Sequence, residues 1–225
     1  MLLDALGTLV GFAPPAPRLR ALLAERHGVS VSEDEAAAAM KAEIRHYRAE
    51  HDMAVDAASL AALRRDCAAV LRGALPARVQ GALDVDALVP TLVDAIVFSP
   101  FAETVAVLEA LRARGHRLAV VSNWDVSLRE VLDRTGLTRF FDAIVISAEL
   151  GAAKPSARPF AAALAALDAP ADGAVHVGDT YAEDVLGARA AGVTPVLVVR
   201  DGGPRPDDAA LHVVSDLQGV LAIAA

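Results

Sequence analysis

From Phe101 onward, short runs of β-branched and aliphatic residues alternate with longer stretches in which apolar positions recur every three or four residues. Apolar runs at Leu118–Ser122, Ala143–Ser147, Ala174–Gly178, Pro195–Val199 and His212–Val214 have the length of strands, and Leu2–Asp4 opens the chain with another. The intervening segments Phe101–Arg114, Val126–Thr135, Ala157–Leu167 and Ala182–Ala191 predict helices. Gly115 and Gly192 fall where a helix end takes a left-handed residue. This alternation predicts an α/β fold with a Rossmann-like, doubly wound parallel sheet, whose ligands collect at the carboxyl ends of the strands.

Residues 18–97 follow another rule. They are rich in Ala, Leu, Arg and Glu at helical spacing, with no strand signal. Pro14, Pro15 and Pro17 make a stiff exit from the first strand, and Ser99-Pro100 a natural return. The expected organisation is therefore an α/β core of 1–13 plus 98–225, split by a helical insert at 14–97. The first strand is short for a central one, with three residues before Asp4, so a preceding segment is expected to be missing.

Composition narrows the class. The chain has 225 residues, 55% hydrophobic but only 4% aromatic, so its apolar content is mostly Ala, Val and Leu, which suits helices packed on a buried parallel sheet. A mean hydropathy of +0.41 is high for a water-exposed fold, yet no apolar run approaches the ~18 residues a membrane span needs. Asp4 stands where a signal peptide would carry positive charge. The single cysteine, Cys67, excludes an internal disulfide and fits a reducing cytoplasm; its helical setting predicts packing rather than reactivity. The net charge is −8 with basic residues scattered, which argues against a nucleic-acid partner and leaves any attraction for an anionic substrate to a local metal or Lys.

The strand ends carry the chemistry. The first gives Asp4 within Asp4-Ala5-Leu6-Gly7-Thr8-Leu9; the second gives Ser122-Asn123. Lys154-Pro155 follows the third, and Gly178-Asp179 with Asp184 follows the fourth. A strand-end Asp can serve as a covalent nucleophile. Asp179 and Asp184 would repel it unless a cation sits among them, and hard oxygen ligands in that number suit Mg²⁺. Ser122 and the backbone amides near Gly7 and Asn123 can cradle phosphoryl oxygens. Lys154 supplies a compact positive charge.

With these four motifs in this order and spacing, the sequence resembles the haloacid dehalogenase superfamily, in its branch with a helical cap inserted after the first strand. The resemblance implies that Asp4 attacks phosphorus, that Ser122 and Lys154 hold the phosphoryl group with Thr8, Gly7 and Asn123 nearby, and that Asp4, the Leu6 backbone carbonyl, Asp179 and Asp184 form a Mg²⁺ site. It implies a small phosphorylated metabolite as substrate, with neither nucleic acid nor membrane as partner and no statement on oligomeric state.

One position departs. Phosphatases of this family usually carry a second Asp two residues after the nucleophile, as acid and base; here it is Leu6. Losing a placed general acid costs about 10²–10⁴-fold. Three readings follow: a phosphatase for good leaving groups or with its acid supplied elsewhere, for which Asp125 and Glu183 are stand-ins; a non-catalytic protein that binds Mg²⁺ and a phospholigand; or a 2-haloacid dehalogenase, since halide leaves without a proton. The paired Asp179 and Asp184 weigh against the last. In the insert, Arg45-His46-Tyr47-Arg48 reads either as a cationic patch toward the substrate or as a solvated face, because four adjacent residues cannot share one face of a helix. Trp124 either walls the pocket or packs the start of a helix.

Overall fold

The computed structural model describes residues 1–204 and 206–223. In chain order the elements begin with β1 (Leu2–Leu3) and β2 (Val10–Phe12), followed by the helices α1 (Ala16–His27), α2 (Glu33–Glu50), α3 (Ala57–Ala74), α4 (Ala77–Gln80) and α5 (Val85–Ala95). Then come β3 (Phe98–Pro100), α6 (Thr104–Ala113), β4 (Ala119–Ser122), α7 (Leu128–Arg134), β5 (Ala143–Ile146), α8 (Ser147–Leu150) and α9 (Ala157–Ala166). The chain closes with β6 (Val175–Gly178), a π-helical turn at Tyr181–Val185, α10 (Leu186–Ala190), β7 (Thr194–Val198), β8 (His212–Val214) and α11 (Val220–Ile223).

The chain divides into two compact units, residues 1–11 with the segment from Ser99 onward, and Phe12–Phe98. The first unit is built on a six-stranded sheet of order β5-β4-β1-β6-β7-β8, parallel throughout. This is the doubly wound α/β architecture that the alternating pattern predicts. The shortest strand, β1, holds the centre: Leu3 pairs with Val120 on one side and Val177 on the other, and both its leucines are fully buried. On one face Leu2, Ala119 and Val121 pack against Phe160, Ala163, Leu164 and Leu167 of the α9 region and Ala188 of α10. Burying such aliphatic side chains is worth roughly 1.5–3 kcal/mol each, which is how a two-residue strand is held at the centre. Gly115 and Gly192 take positive φ of 83° and 72°, as their places after helices predict.

The second unit is helical. The α2 helix starts on a capping box, Ser32 with Glu35, and α3 on another, Asp56 with Ser59. These two helices pack along their length, and the alanines at 36, 39 and 68 allow close approach beside Met40, Leu60, Leu63 and Leu71. Pro17 lies in the first turn of α1, where its missing N–H costs nothing. Within 45–48, Arg45 and Arg48 are exposed while His46 and Tyr47 turn partly inward, so the four residues divide between faces. Cys67 is buried and hydrogen-bonds Glu43.

The connecting strands β2 and β3 pair with one another and were not evident in the pattern. Three residues are too few to show an alternation. The predicted helix Ala182–Ala191 is in fact a π turn followed by α10.

Candidate active site

The register that pairs Leu3 with Val120 and Val177 sets Asp4 level with the ends of β4 and β6, and the Asp4 amide donates to Val177 O at 2.9 Å. Asp4 is 6% exposed. Its Oδ1 accepts from Ser122 Oγ at 3.0 Å and from Lys154 Nζ at 2.7 Å. Ser122 ends β4, and Lys154 arrives on the loop after α8. The Lys154 backbone is fixed by Asn123, whose Oδ1 accepts from Lys154 N at 2.8 Å while its Nδ2 donates to Lys154 O at 2.9 Å. The same Nδ2 donates to Glu183 Oε2 at 3.0 Å. The Asn123 side chain therefore positions Lys154.

Asp184 lies inside the π turn, 2% exposed, and is enclosed by donors. Its Oδ1 accepts from Lys154 Nζ at 2.6 Å and from His176 Nε2 at 2.9 Å, and its Oδ2 from the Thr180 amide at 2.9 Å. Burial works against the charge on Asp184, yet Lys154 and His176 together hold its carboxyl well below the usual range. Burial also opposes the Lys154 charge, but Asp4 and Asp184 hold the ammonium above the ordinary lysine value. Asp4 goes the other way: burial pushes it up, with Lys154 opposing and Asp184 adding to the rise. One ammonium serves two carboxylates, and Asp184 has the extra donors.

His176 sits in the middle of β6, fully buried, with its ring edge-on to Phe160 at 4.9 Å. Donation from Nε2 to Asp184 leaves Nδ1 as the other ring nitrogen, and burial lowers the pKa of the ring. Sequence reasoning missed this residue. The signal was there: a histidine inside an apolar strand must find a buried partner.

Asp179 stands at the exposed rim of the cluster. Protein packed on its inner side, and then repulsion by Asp4 and Asp184, push its carboxyl up to about 6. Its own hydrogen bond is a long one from Thr180 Oγ1 at 3.2 Å. Two glycines make room for these carboxylates. A β-carbon on Gly7, which has φ of 81°, would fall 2.0 Å from Asp179 Oδ2, and one on Gly178 would fall 2.1 Å from Asp184 Cγ. The glycines of both motifs are thus steric requirements of the acid cluster.

Carboxylate oxygens of Asp4, Asp179 and Asp184 all lie within 4.8 Å of one another, and these three could hold a metal ion. The fit is chemically sound: hard oxygen donors, excess negative charge, and in Asp179 a carboxyl that burial and then Asp4 and Asp184 push up more than Thr180 and Lys154 pull down. Thr8 is fully buried with its Oγ1 unpartnered. Two residues beyond Asp4 the chain offers Leu6 and no acid. Of the stand-ins, Asp125 is buried and accepts from Ser127 N at 2.6 Å before α7, whereas Glu183 is half-buried beside Asn123. Trp124 is buried and its amide donates to Ser147 Oγ at 3.0 Å, so it packs.

A family model described as haloacid dehalogenase-like hydrolase matches residues 1–192. The chain belongs to this family. Among curated relatives of this hydrolase, the haloacid dehalogenase-like hydrolase domain-containing protein 3 of Bos taurus is 45% identical over 107 residues, 47% of this chain and 41% of the relative. A glyceraldehyde 3-phosphate phosphatase of Methanothermobacter thermautotrophicus is 40% identical over 100 residues, 44% of each chain. The matched stretches thus span under half the length of these relatives. Among solved structures, a 2-haloacid dehalogenase from Pseudomonas syringae pv. Tomato superimposes with a TM-score of 0.65 at 26% identity, over all of this chain and 98% of that one. No helix among the described residues is long and apolar enough to cross a membrane.

Proposed function

We propose that this hydrolase is a Mg²⁺-dependent phosphatase of small phosphorylated metabolites, working through an aspartyl-phosphate on Asp4. The observation that carries the reading is the acid cluster: Asp179, pushed up to about 6 by burial and then by Asp4 and Asp184, has a carboxylate oxygen within 4.8 Å of those of the other two. A dehalogenase nucleophile has no use for such a charge-rich surround, whereas a dication and a phosphoryl group do. The phosphatase among the relatives supports the same substrate class.

Asp4, Asp179 and the carbonyl of Leu6 would hold Mg²⁺, with Asp184 behind them, and the ion would offset phosphoryl charge. Ser122 and Lys154 bind Asp4 Oδ1 and so aim the carboxylate. An Asp4 oxygen forms a bond to phosphorus as the ester P–O bond breaks, and the leaving oxygen departs with the electron pair. Water then attacks phosphorus, releasing phosphate and restoring the carboxylate. Asp184 and His176 keep Lys154 in place throughout. With Leu6 two residues past the nucleophile, no acid stands there to protonate the leaving oxygen, so substrates with stable leaving groups are favoured.

Leu6 also favours a second reading, dehalogenation, because halide needs no proton, and one structural neighbour is a 2-haloacid dehalogenase. A panel separates the readings. Turnover of an aryl phosphate that stops with chelator and with Asp4→Asn supports the phosphatase. Halide release from a 2-haloacid in chelator overturns it, and so does tight phosphate binding with no turnover of any ester.

A further inference from the structure

We infer that Arg200 is a positioning residue for the loop that carries Asp4. This rests on reading Asp4 as the nucleophile. Arg200 lies just past β7, and the order β1-β6-β7 puts it two strands from Asp4, so its side chain reaches across the end of β6. There Nε donates to Gly7 O at 3.0 Å and Nη2 to Thr8 O at 2.9 Å. Two successive carbonyls of the Asp4 loop are held by one rigid fork, a geometry that lysine cannot copy.

The fork is itself aimed. Its third edge meets Glu103 Oε1 at 2.8 Å, and its face lies 3.5 Å from the centroid of the Phe101 ring. Both partners sit on the segment where the chain re-enters this unit. Phe101 N and Thr104 Oγ1 in turn donate to Leu9 O, at 3.2 and 2.8 Å. The carbonyls of Gly7, Thr8 and Leu9 therefore all point at one fixed wall.

The opposite side of the loop shows why this matters. A β-carbon built on Gly7 would fall 2.0 Å from Asp179 Oδ2, so the loop backbone lies close against that carboxylate. With the Asp179 carboxylate on that side, the Gly7 backbone has no room to shift toward it. Arg200 holds the backbone from the other side by occupying Gly7 O and Thr8 O. Its hydrogen bonds go to the loop carbonyls and to Glu103 rather than to Asp4, so its effect on Asp4 is exerted through the loop.

The test compares wild type, Arg200→Met, Arg200→Lys and Glu103→Gln on an aryl phosphate with Mg²⁺, together with hydrogen exchange of the free protein. Arg200→Met should lower kcat about 100-fold, the scale of a small misplacement of reacting groups, with KM unchanged. Arg200→Lys should fail to restore kcat, while Glu103→Gln, which keeps both carbonyl bonds, should lose less. The Leu9 and Val10 amides, which donate to Ala5 O, should exchange faster in Arg200→Met while those of β4 do not change. Wild-type kcat in Arg200→Lys, a loss confined to KM, or unchanged exchange in the loop overturns the inference. If Arg200→Met does not fold, Arg200→Lys decides by the same kinetic criterion. A wild type silent on every phosphate ester defeats the phosphatase reading instead, and the exchange arm still decides whether Arg200 holds the loop.

Discussion

Lys154 Nζ and Asp184 Oδ1 stand 2.6 Å apart, with the two side chains only 1% and 2% exposed. The pair is the anchor of the acid cluster rather than its working surface. Asp184 is saturated by Lys154, His176 and the Thr180 amide, while Asp179 at the rim has one weak partner. The carboxylates therefore divide between holding Lys154 still and presenting charge outward.

Removing the cation exposes that division. Lys154→Met should destabilise the protein by about 3–5 kcal/mol, since it strands two buried carboxylates. Part of that loss should return on adding Mg²⁺, which replaces the missing charge. Urea unfolding with and without the ion measures both effects, and a variant as stable as wild type in chelator would refute the anchoring role.

Gly7 and Asp179 make a second sharp case. Any β-carbon at Gly7 collides with the carboxylate, and φ of 81° adds the left-handed cost of about 1–2 kcal/mol. Wild type at 100 times the Kd for Mg²⁺ should gain about 2.7 kcal/mol. Gly7→Ala should lower Tm in chelator and abolish the ion-dependent rise, and Asp179→Asn should abolish the rise alone. Calorimetry on the three proteins tests this, and an undiminished rise in Gly7→Ala counts against the site.

A pH effect is expected within the helical unit. Glu43 on α2 is buried, and its burial pushes the carboxyl up to about 7 with only Cys67 opposing. Because the folded pKa lies above the unfolded one, this group favours folding in acid. That contribution is complete below about 4.5 and is lost as pH rises through about 7, by roughly 3 kcal/mol. Glu43→Gln should remove this slope, so its stability relative to wild type should rise between pH 5 and pH 8 on the scale given by the linkage relation. Parallel stability curves for the two proteins would dispose of the assignment.

The features that the sequence made legible share a cause. Asp4, Ser122, Lys154 and Asp179 each follow an apolar run, so strand ends and chemistry are read together. His176 was hidden because it lies within such a run, where only its polarity marks it. The π turn was hidden because a helical period drawn across Ala182–Ala191 absorbs one widened turn. Arg200 was out of reach altogether: its partners Gly7 and Thr8 lie 193 and 192 residues away along the chain, and nothing local in Val199-Arg200-Asp201 signals them. Asn123 was read for its backbone amide, and the hold of its side chain on the Lys154 backbone had no local signal.

The proton problem set by Leu6 gives the most direct test of mechanism. The loop is already shaped by Gly7, Arg200 and the Ala5 carbonyl, which accepts from both Leu9 N and Val10 N. Leu6 is only partly buried, so a carboxylate there needs no cavity in the core. If departure of an unprotonated oxygen limits the rate, Leu6→Asp should raise kcat on alkyl esters by up to about 10²–10⁴-fold. Aryl phosphates, whose leaving oxygen needs little help, should gain far less. The ratio of the two gains is the informative quantity, because a general change in folding or metal binding would scale both substrates alike. Equal gains, or none on alkyl esters, would show that the missing acid is not what limits this hydrolase.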